Sequence, residues 1–206
     1  MPDDVLQKIK RLDPIYAARF VGPVYASRLN RLVKWTRPKG KKVLDAGCGF
    51  GLLMHMLRHS GAQYPVTGLN INQRQLDAAR KSIEEPGAQA FSWINADILN
   101  MPFASENFDI VYATDVLEHI KELPVALAEI SRVLKPGGIL AASLPTEGGL
   151  YNLGRNIFGD GHKPRDHYRS AAEIETEILE KFSVEKRGYA PGFWLPIYRL
   201  ITAEKR

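Results

Sequence analysis

A glycine-rich turn directly after an apolar run carries the strongest chemical signal in this sequence. Gly47, Gly49 and Gly51 alternate with larger residues behind a buried-strand pattern at 42–46. Glycine allows sharp backbone turns and close approach to a ligand, and open α/β sheets bind ligands at the carboxyl ends of their strands. The spacing is G-x-G-x-G, whereas dinucleotide-binding turns have G-x-G-x-x-G. The turn therefore predicts a ligand other than a pyrophosphate, with a purely structural tight turn as the alternative.

The elements that must position this turn follow the pattern of a doubly wound α/β sheet. From residue 41 onward, short β-rich runs alternate with amphipathic helical stretches. Strands are predicted at 42–46, 65–69, 90–94, 108–113, 139–144, 182–189 and 198–204. Helices are predicted at 24–35, 52–59, 73–82, 123–134 and 171–179. A long loop at 145–169 is expected to be functional or disordered, because compact domains seldom contain such long connections.

The composition is that of one soluble globular domain. A chain of 206 residues can form one full core, and its 45% hydrophobic and 25% charged residues are ordinary values. No apolar run approaches the roughly 20 residues of a membrane-spanning helix, and the first residues lack an apolar signal core. A single cysteine, Cys48, excludes an internal disulfide and fits a reducing compartment. We therefore expect a cytoplasmic protein.

The positive net charge is concentrated in the N-terminal arm. Residues 1–42 carry 11 Lys and Arg against 3 Asp and Glu, whereas residues 43–150 carry 7 against 12. A basic arm can meet nucleic acid, anionic lipid or an acidic partner. A solvated helix face explains the same charges equally well.

The glycine turn opens a series of motifs that resembles the class I S-adenosylmethionine-dependent methyltransferase family. In that family D-x-G-x-G, here at 45–49, ends the first strand and cradles the amino-acid end of the cofactor. The series continues with G-L-N-I-N at 68–72, N-A-D-I at 95–98, M-P-F at 101–103, F-D-I-V at 108–111, L-E-H-I at 117–120 and R-V-L-K-P-G-G at 132–138. It looks like the branch that methylates quinones, sterols and other small molecules, and it covers roughly residues 41–145.

The resemblance implies a Rossmann-like, doubly wound seven-stranded sheet in the order 3-2-1-4-5-7-6, with an N-terminal helical lid. We expect residues 1–206 to form a single methyltransferase domain. Within it, residues 1–40 would be the helical arm or lid, residues 41–145 the cofactor-binding half, and residues 146–206 the acceptor-side loop and last strands.

The resemblance also implies S-adenosylmethionine as cofactor and a set of contacts to it. Asp97 and Ile98 would hold the adenine, and Asn70 with Ile71 would hold the ribose. The family usually has Asp or Glu at the position of Asn70, because a carboxylate accepts from both ribose hydroxyls whereas an amide offers one oxygen. The other implied contacts are Asp45, Gly47, Cys48, Gly49, Gly51 and Thr114.

For two of these positions, Asp45 and Thr114, a second interpretation of the residue remains open. Asp45 would accept hydrogen bonds from the amides of the glycine turn or face the cofactor's ammonium group, and a turn-capping Asp is the other interpretation. Thr114 aligns with a cofactor contact of the family, and it is equally a residue that ends a strand.

The catalytic residues stay open in the sequence. Methyl transfer needs mainly in-line positioning, because the sulfonium already activates the methyl group, and a base only where the acceptor must lose a proton. His119, His162 and His167 are candidates for that base, with surface or packing roles as the alternative for each. His55 and His59 lie at i, i+4 without the glutamate of H-E-x-x-H, so no metal site is predicted.

On the acceptor side we expect Tyr16, Tyr25, His119 and Tyr168 to face a small, hydrophobic or aromatic acceptor. In this family N-terminal helices commonly fold over the cofactor, and plain helix packing is the alternative for the first two tyrosines. The apolar segment 188–198, together with the basic arm, also predicts a transient contact with a membrane surface. No oligomeric state is assigned from the sequence.

Other functions of the same fold remain as alternatives. A protein or RNA methyltransferase is motivated by the basic arm, although T-D-V-L at 114–117 stands where the amino-directed nucleic-acid branch has N/D-P-P-Y/F. Nucleic acid is therefore disfavoured as a partner. A non-catalytic module that binds S-adenosylmethionine is motivated by Asn70 and by the absence of an obvious base.

Overall fold

The computed structural model describes residues 21–59, 64–83, 90–146, 167–192 and 195–206. Five helices lie in these ranges: α1 Val21–Thr36, α2 Leu52–His59, α3 Gln73–Ile83, α4 Leu123–Val133 and α5 Ala171–Lys181. Seven strands accompany them: β1 Val43–Ala46, β2 Val66–Asn70, β3 Phe91–Asn95, β4 Phe108–Thr114, β5 Leu134–Pro145, β6 Phe182–Gly192 and β7 Leu195–Lys205. Among the described residues, no helix combines the length and apolar character that crossing a membrane requires.

All seven strands form one sheet in the order β3-β2-β1-β4-β5-β7-β6, which confirms the predicted topology. Neighbouring strands from β3 to β5 pair parallel, whereas β7 is antiparallel to both β5 and β6. The direction of winding reverses between β1 and β4. Open α/β sheets bind ligands in the crevice at such a reversal, outside the carboxyl ends of the strands.

Alternating residues of the strands build two separate apolar layers. Leu44 and Val111 pack with α4 and α5, while Val43 and Tyr112 pack with α1, α2 and α3. Successive side chains of a strand point to opposite faces, so helices on both sides bury nearly every position of β1 and β4. This packing holds the carboxyl ends of the central strands at one edge of the sheet.

Helix α1 packs on the sheet, and two of its side chains, those of Arg31 and Trp35, contact β6. The Arg31 guanidinium donates to the carbonyls of Tyr189 at 2.6 Å and Pro191 at 3.2 Å. Trp35 lies so close to Gly188 that a Cβ there would be 3.0 Å from the indole ring. Of the predicted arm or lid at residues 1–40, the part at Val21–Thr36 is thus a helix packed on the sheet, and residues 1–20 lie outside the described residues.

Strand ends differ most from the sequence prediction around β5 and in the β6–β7 pair. Strand β5 starts at Leu134, directly after α4, although Pro136, Gly137 and Gly138 predict a turn before residue 139. The pairing with β4 shifts register there, which accommodates the positive φ of 70° at Gly137. Strand β6 continues through Pro191 to Gly192, and β7 begins at Leu195 and continues through Pro196. The two prolines pair with each other across the strands. Proline disfavours strand interiors but is tolerated near strand ends.

Candidate functional site

A cavity of about 430 Å³ lies at the carboxyl ends of β1, β2, β3 and β4. Its wall consists of residues that follow these four strands, completed by Tyr168 just before α5. The lining residues are Gly47, Leu69, Asn70, Ile71, Ala96, Asp97, Ile98, Leu99, Val116, His119, Ile120, Lys121, Glu122 and Tyr168. The volume falls in the range of small-molecule and cofactor sites.

The glycine turn is shaped by its own backbone bonds. The amides of Gly47 and Cys48 both donate to the carbonyl of Leu69, at 2.8 and 2.9 Å, and so tie the end of β1 to the end of β2. Gly47, with φ of 83°, faces the cavity, and a Cβ there would lie 2.5 Å from Val116 Cγ2. This position therefore requires glycine both for its conformation and for space.

Two of the other residues in the turn have roles in packing. Gly51, with φ of 78°, lies against α3, where its Cβ would be 3.1 Å from that of Ala79. Cys48 is buried, and burial together with the nearby Asp45 carboxylate raises the pKa of its thiol, which disfavours the thiolate form that a nucleophile needs. Neither residue lines the cavity, and Gly49, with φ of 52°, has open space around its missing Cβ.

Asp45 at the end of β1 is a buried carboxyl group with spare hydrogen-bonding capacity. Its side chain is 1% exposed, and its Oδ1 accepts no hydrogen bond from the described residues. Burial raises its pKa to about 7, and the positive charge of Arg28 opposes this shift. The amides of Gly47 and Cys48 are already used by Leu69. Asp45 therefore does not accept from these two amides, and it does not line the cavity; its role toward the cofactor's ammonium group stays a prediction.

Arg28 anchors α1 to the end of the sheet beside this carboxyl group. It forms an ion pair with Asp115 and donates to Ser143 Oγ at 3.1 Å, and Ser143 in turn donates to Asp115 Oδ1 at 3.1 Å. The guanidinium also lies 4.5 Å from the centre of the Tyr198 ring. Asp115 adopts a positive φ of 52°. Sequence reasoning missed this network, because its members come from three separate elements.

The predicted ribose position presents an acceptor oxygen to the cavity wall. The side-chain amide nitrogen of Asn70 donates to Asn72 O at 3.2 Å and to Gln75 Oε1 at 3.0 Å. These bonds fix the orientation of the amide and leave Oδ1 as its ligand-facing acceptor. Ile71 is 69% exposed although it is a large apolar side chain, so it offers a free apolar wall beside that oxygen.

At the predicted adenine position, one carboxylate oxygen of Asp97 is used within the protein and the other is left for a ligand. Asp97 Oδ1 accepts from the amide of Leu99 at 2.9 Å, which shapes the turn after β3 and leaves Oδ2 to accept from a ligand. Ile98 lies next to it, is 5% exposed and forms part of the core, so its position is fixed. A carboxylate oxygen beside an apolar wall suits an exocyclic amine on an aromatic base.

Thr114 does not line the cavity. It ends β4 and pairs with Ser143 of β5, which matches its interpretation as a strand-ending residue. Its assignment as a cofactor contact stays a prediction.

The acceptor-side predictions divide into described and undescribed residues. His119 ends a short 3-10 turn, Leu117–His119, and lines the cavity together with the half-exposed Tyr168. His167 packs edge to face against His119, with ring centres 4.7 Å apart. Tyr16, His162 and the side chain of Tyr25 lie outside the described residues.

The carboxylate of Glu118 lies close to both histidines, and the sequence spacing did not predict this group of three. Glu118 is 2% exposed, and the ligand atoms of Glu118, His119 and His167 all lie within 4.8 Å of one another. The prediction of no metal site considered only neighbours along one helix, and His167 lies 48 residues after His119. The L-E-H-I motif contains two of the three residues, Glu118 and His119, but the motif alone assigns no role to its glutamate.

The sheet order, the glycine turn and the polar groups after β1, β2 and β3 define a class I methyltransferase domain. Two acceptors on the cavity wall fit S-adenosylmethionine, the amide oxygen of Asn70 and the free carboxylate oxygen of Asp97; the spare oxygen of the buried Asp45, which does not line the cavity, is a third. Each is a hydrogen-bond acceptor, and they match the ammonium, hydroxyl and amine donors of that cofactor.

Comparison with known proteins places the chain in this family. Residues 44–142 match a family described as a methyltransferase domain. A sterol 24-C-methyltransferase of Gibberella zeae is 34% identical over 149 residues, which is 71% of this chain and 37% of that protein. A 2-phytyl-1,4-naphtoquinone methyltransferase of Nostoc punctiforme is 37% identical over 108 residues, 51% of this chain and 47% of that protein. The chain belongs to the class I S-adenosylmethionine-dependent methyltransferase family.

A solved structure agrees with the fold over nearly the whole chain. The PH0226 protein from Pyrococcus horikoshii superposes with a TM-score of 0.77 at 21% identity, covering 97% of this chain and 99% of that one. The two curated relatives are longer proteins, of which this chain spans less than half. The match therefore concerns the methyltransferase domain itself.

Proposed function

We propose that this protein transfers the methyl group of S-adenosylmethionine to a small acceptor that is hydrophobic or aromatic. The observation that carries the proposal is the cavity at the carboxyl ends of β1 to β4, where Asn70 and Asp97 each keep one oxygen for a ligand. The bound cofactor supplies a methyl group already activated by the sulfonium. The protein then contributes mainly position and exclusion of water.

Each side of the cavity has a task in that reaction. Asn70 and Asp97 accept from the ribose and the adenine, while Asp45 compensates the positive charge of the amino-acid end. His119, which also lines the cavity, is the candidate to take a proton from an acceptor hydroxyl or acidic carbon. Glu118, buried next to it in the chain, brings a carboxylate within 4.8 Å of its ring nitrogen, and a neighbouring carboxylate helps to orient such a base.

The acceptor class follows from the cavity wall. Leu69, Ile71, Ile98, Val116 and Ile120 give it a largely apolar surface. Such a surface binds a hydrophobic or aromatic molecule by burial, with few polar groups to orient it. The names of the two relatives, a sterol and a naphthoquinone methyltransferase, agree with this class.

The basic arm offers less to a macromolecular substrate than its charge predicts. Arg28 and Arg31 are used in packing α1, and Lys41 donates to the carbonyl of Thr36 at 3.3 Å. Lys42 donates to Asn107 Oδ1 at 2.6 Å. These four of the eleven Lys and Arg residues in 1–42 serve the fold and are therefore not offered to a nucleic acid.

The apolar segment 188–198 has a similar structural use. Ala190 and Tyr198 are buried in the core layer that contains α1. The contact with a membrane surface stays a prediction, and these two residues do not support it.

Calorimetric titration with S-adenosylmethionine and S-adenosylhomocysteine tests the cofactor site. Asp97→Asn keeps an oxygen for the Leu99 amide but presents an amide nitrogen to the adenine amine, so affinity should fall roughly 10- to 100-fold, as expected for a lost bond to a charged acceptor. Asp77→Asn on the exposed face of α3 is the matched control and should leave affinity unchanged.

Acceptor screening follows with tritiated cofactor against quinones, phenols and sterols. Transfer of label to one of these classes supports the proposal. Binding of neither cofactor form, or equal affinity of the Asp97→Asn variant and wild type, would contradict it.

A further inference from the structure

Three potential metal ligands meet at the acceptor side of the cavity. Glu118 and His119 come from the 3-10 turn after β4, and His167 comes from the segment before α5. Their carboxylate and imidazole ligand atoms lie within 4.8 Å of one another. Glu118 is 2% exposed, whereas the two histidines are partly accessible, and His119 lines the cavity.

Hydrogen bonds to backbone carbonyls hold the two segments next to each other. The amide of Tyr168, next to His167, donates to the carbonyl of Glu118 at 2.8 Å. One residue further on, Arg169 donates to the carbonyl of Lys121 at 3.3 Å. Ligands from two distant segments are thus fixed relative to each other by main-chain contacts that do not use their side chains.

The charges around the cluster are compatible with a bound cation. Lys121 Nζ lies over the Tyr168 ring, 4.9 Å from its centre, and the Arg169 guanidinium is paired with Glu177 at 2.8 Å. These two cations are therefore directed toward other groups.

The distances fit a four-coordinate ion after small side-chain rotations. Zinc bonds of about 2.0–2.1 Å in tetrahedral geometry place ligand atoms about 3.4 Å apart. The widest pair in the cluster, at 4.8 Å or less, would need to close by roughly 1.4 Å. Rotation of a histidine about its χ angles covers that distance without moving the backbone.

We propose that Glu118, His119 and His167 bind a divalent transition-metal ion of the zinc type, with one coordination position open to the cavity. Two imidazoles and one carboxylate favour zinc and its neighbours over magnesium or calcium, which prefer oxygen ligands. Catalytic zinc sites likewise use three protein ligands and leave the fourth position to water or substrate.

The consequence for the acceptor rests on the proposed function. An ion at this place lies beside the cavity wall formed by His119. Its open position would take an oxygen of the acceptor, which favours a hydroxylated or carbonyl-containing member of the hydrophobic class. In that case His119 serves as a ligand, and the acceptor oxygen loses its proton to solvent with help from the ion.

Metal titration of the whole protein tests the site without any acceptor. Protein treated with chelator and then desalted is titrated with zinc chloride by calorimetry and with cobalt chloride by visible absorption. We expect one equivalent of zinc to bind and cobalt to give the absorption of a four-coordinate nitrogen and oxygen site. His167→Gln and Glu118→Gln should each weaken zinc binding at least ~10-fold, because even outer-shell changes cost that much.

Controls separate this proposal from the cofactor proposal and from misfolding. Glu122→Gln changes a carboxylate of the same cavity outside the cluster and should bind zinc like wild type. Circular dichroism and S-adenosylmethionine titration show whether each variant is folded. No stoichiometric zinc binding by wild type, or equal zinc affinity in wild type, folded His167→Gln and folded Glu118→Gln, would overturn the metal site. Absence of S-adenosylmethionine binding by the wild-type protein would instead overturn the proposed function.

Discussion

Replacing Gly47 by alanine tests the central geometric claim about the site. The structure assigns two separate penalties to a Cβ at this position: a left-handed backbone with φ of 83°, and a distance of 2.5 Å to Val116 Cγ2. The conformational penalty is roughly 1–2 kcal/mol for an L-residue. The steric penalty is about 1–3 kcal/mol, the usual cost of overpacking. Gly47→Ala should therefore lower the free energy of unfolding by about 2–5 kcal/mol.

Gly49 provides a matched control two residues away. It also has a positive φ, of 52°, but a Cβ at this position would have no neighbouring atom within 4 Å. Gly49→Ala should therefore cost only the conformational part, about 1–2 kcal/mol. The effect of alanine on the unfolded chain is common to both variants and cancels in their difference.

Val116→Ala should relieve part of the clash in the Gly47→Ala background, because it removes Cγ2 at 2.5 Å but keeps Cβ at 2.8 Å. Urea unfolding of wild type, Gly47→Ala, Val116→Ala and the double variant gives the coupling energy of the pair. We expect a favourable coupling of about 1 kcal/mol, which is part of the steric penalty of Gly47→Ala. Equal destabilisation by Gly47→Ala and Gly49→Ala, together with a coupling below ~0.5 kcal/mol, would refute the close approach of β1 and the turn after β4.

Three further variants test the buried charges and the ribose position. Burial raises the pKa of Asp45 to about 7 from 3.8, so the stability contributed by its neutral form is present below pH 4 and lost as pH rises through 7. The free energy of unfolding of Asp45→Asn, measured with urea, should rise by up to ~4 kcal/mol relative to that of wild type between pH 4 and pH 7. A difference that does not change with pH would contradict this. Arg28→Met leaves the Asp115 carboxylate without its ion pair and should lower the free energy of unfolding by about 3–5 kcal/mol, with partial recovery in Arg28→Met/Asp115→Asn. Asn70→Asp makes the oxygen that faces the ribose a charged carboxylate oxygen, while the Gln75 amide rotates to donate to the other one, so calorimetry should show S-adenosylmethionine bound roughly 5-fold more tightly, about 1 kcal/mol; weaker binding would show that the present bonds to Asn72 and Gln75 matter more.

The sequence was informative where local pattern decides structure. Helix α2 begins and ends where the periodicity places it, and α3 differs from its prediction by one residue at its end. Apolar periodicity and glycine or proline stops act within one element, so they are visible without tertiary contacts. The same holds for the positive φ values at Gly47, Gly49 and Gly51.

Strand ends were less accurate because pairing decides them. Strand β5 begins at Leu134 since Phe108 of β4 pairs with it, with an irregularity before the regular pairing resumes at Ile139, and β6 extends to Gly192 since β7 returns beside it. A hydrogen-bonded neighbour can override the turn preference of glycine and proline. That neighbour cannot be identified from the residues of one strand.

By itself, the sequence determined the order of elements, the glycine turn, and the polar residues at the strand ends that make this a methyltransferase domain. Only the tertiary structure decided which of them meet: that Gly51 packs on α3 while Gly47 faces the cavity, that Arg28 pairs with Asp115, and that His167 joins Glu118. The reason is physical. Backbone conformation depends on near neighbours in the chain, whereas contacts between distant segments depend on how the helices and loops pack across the sheet.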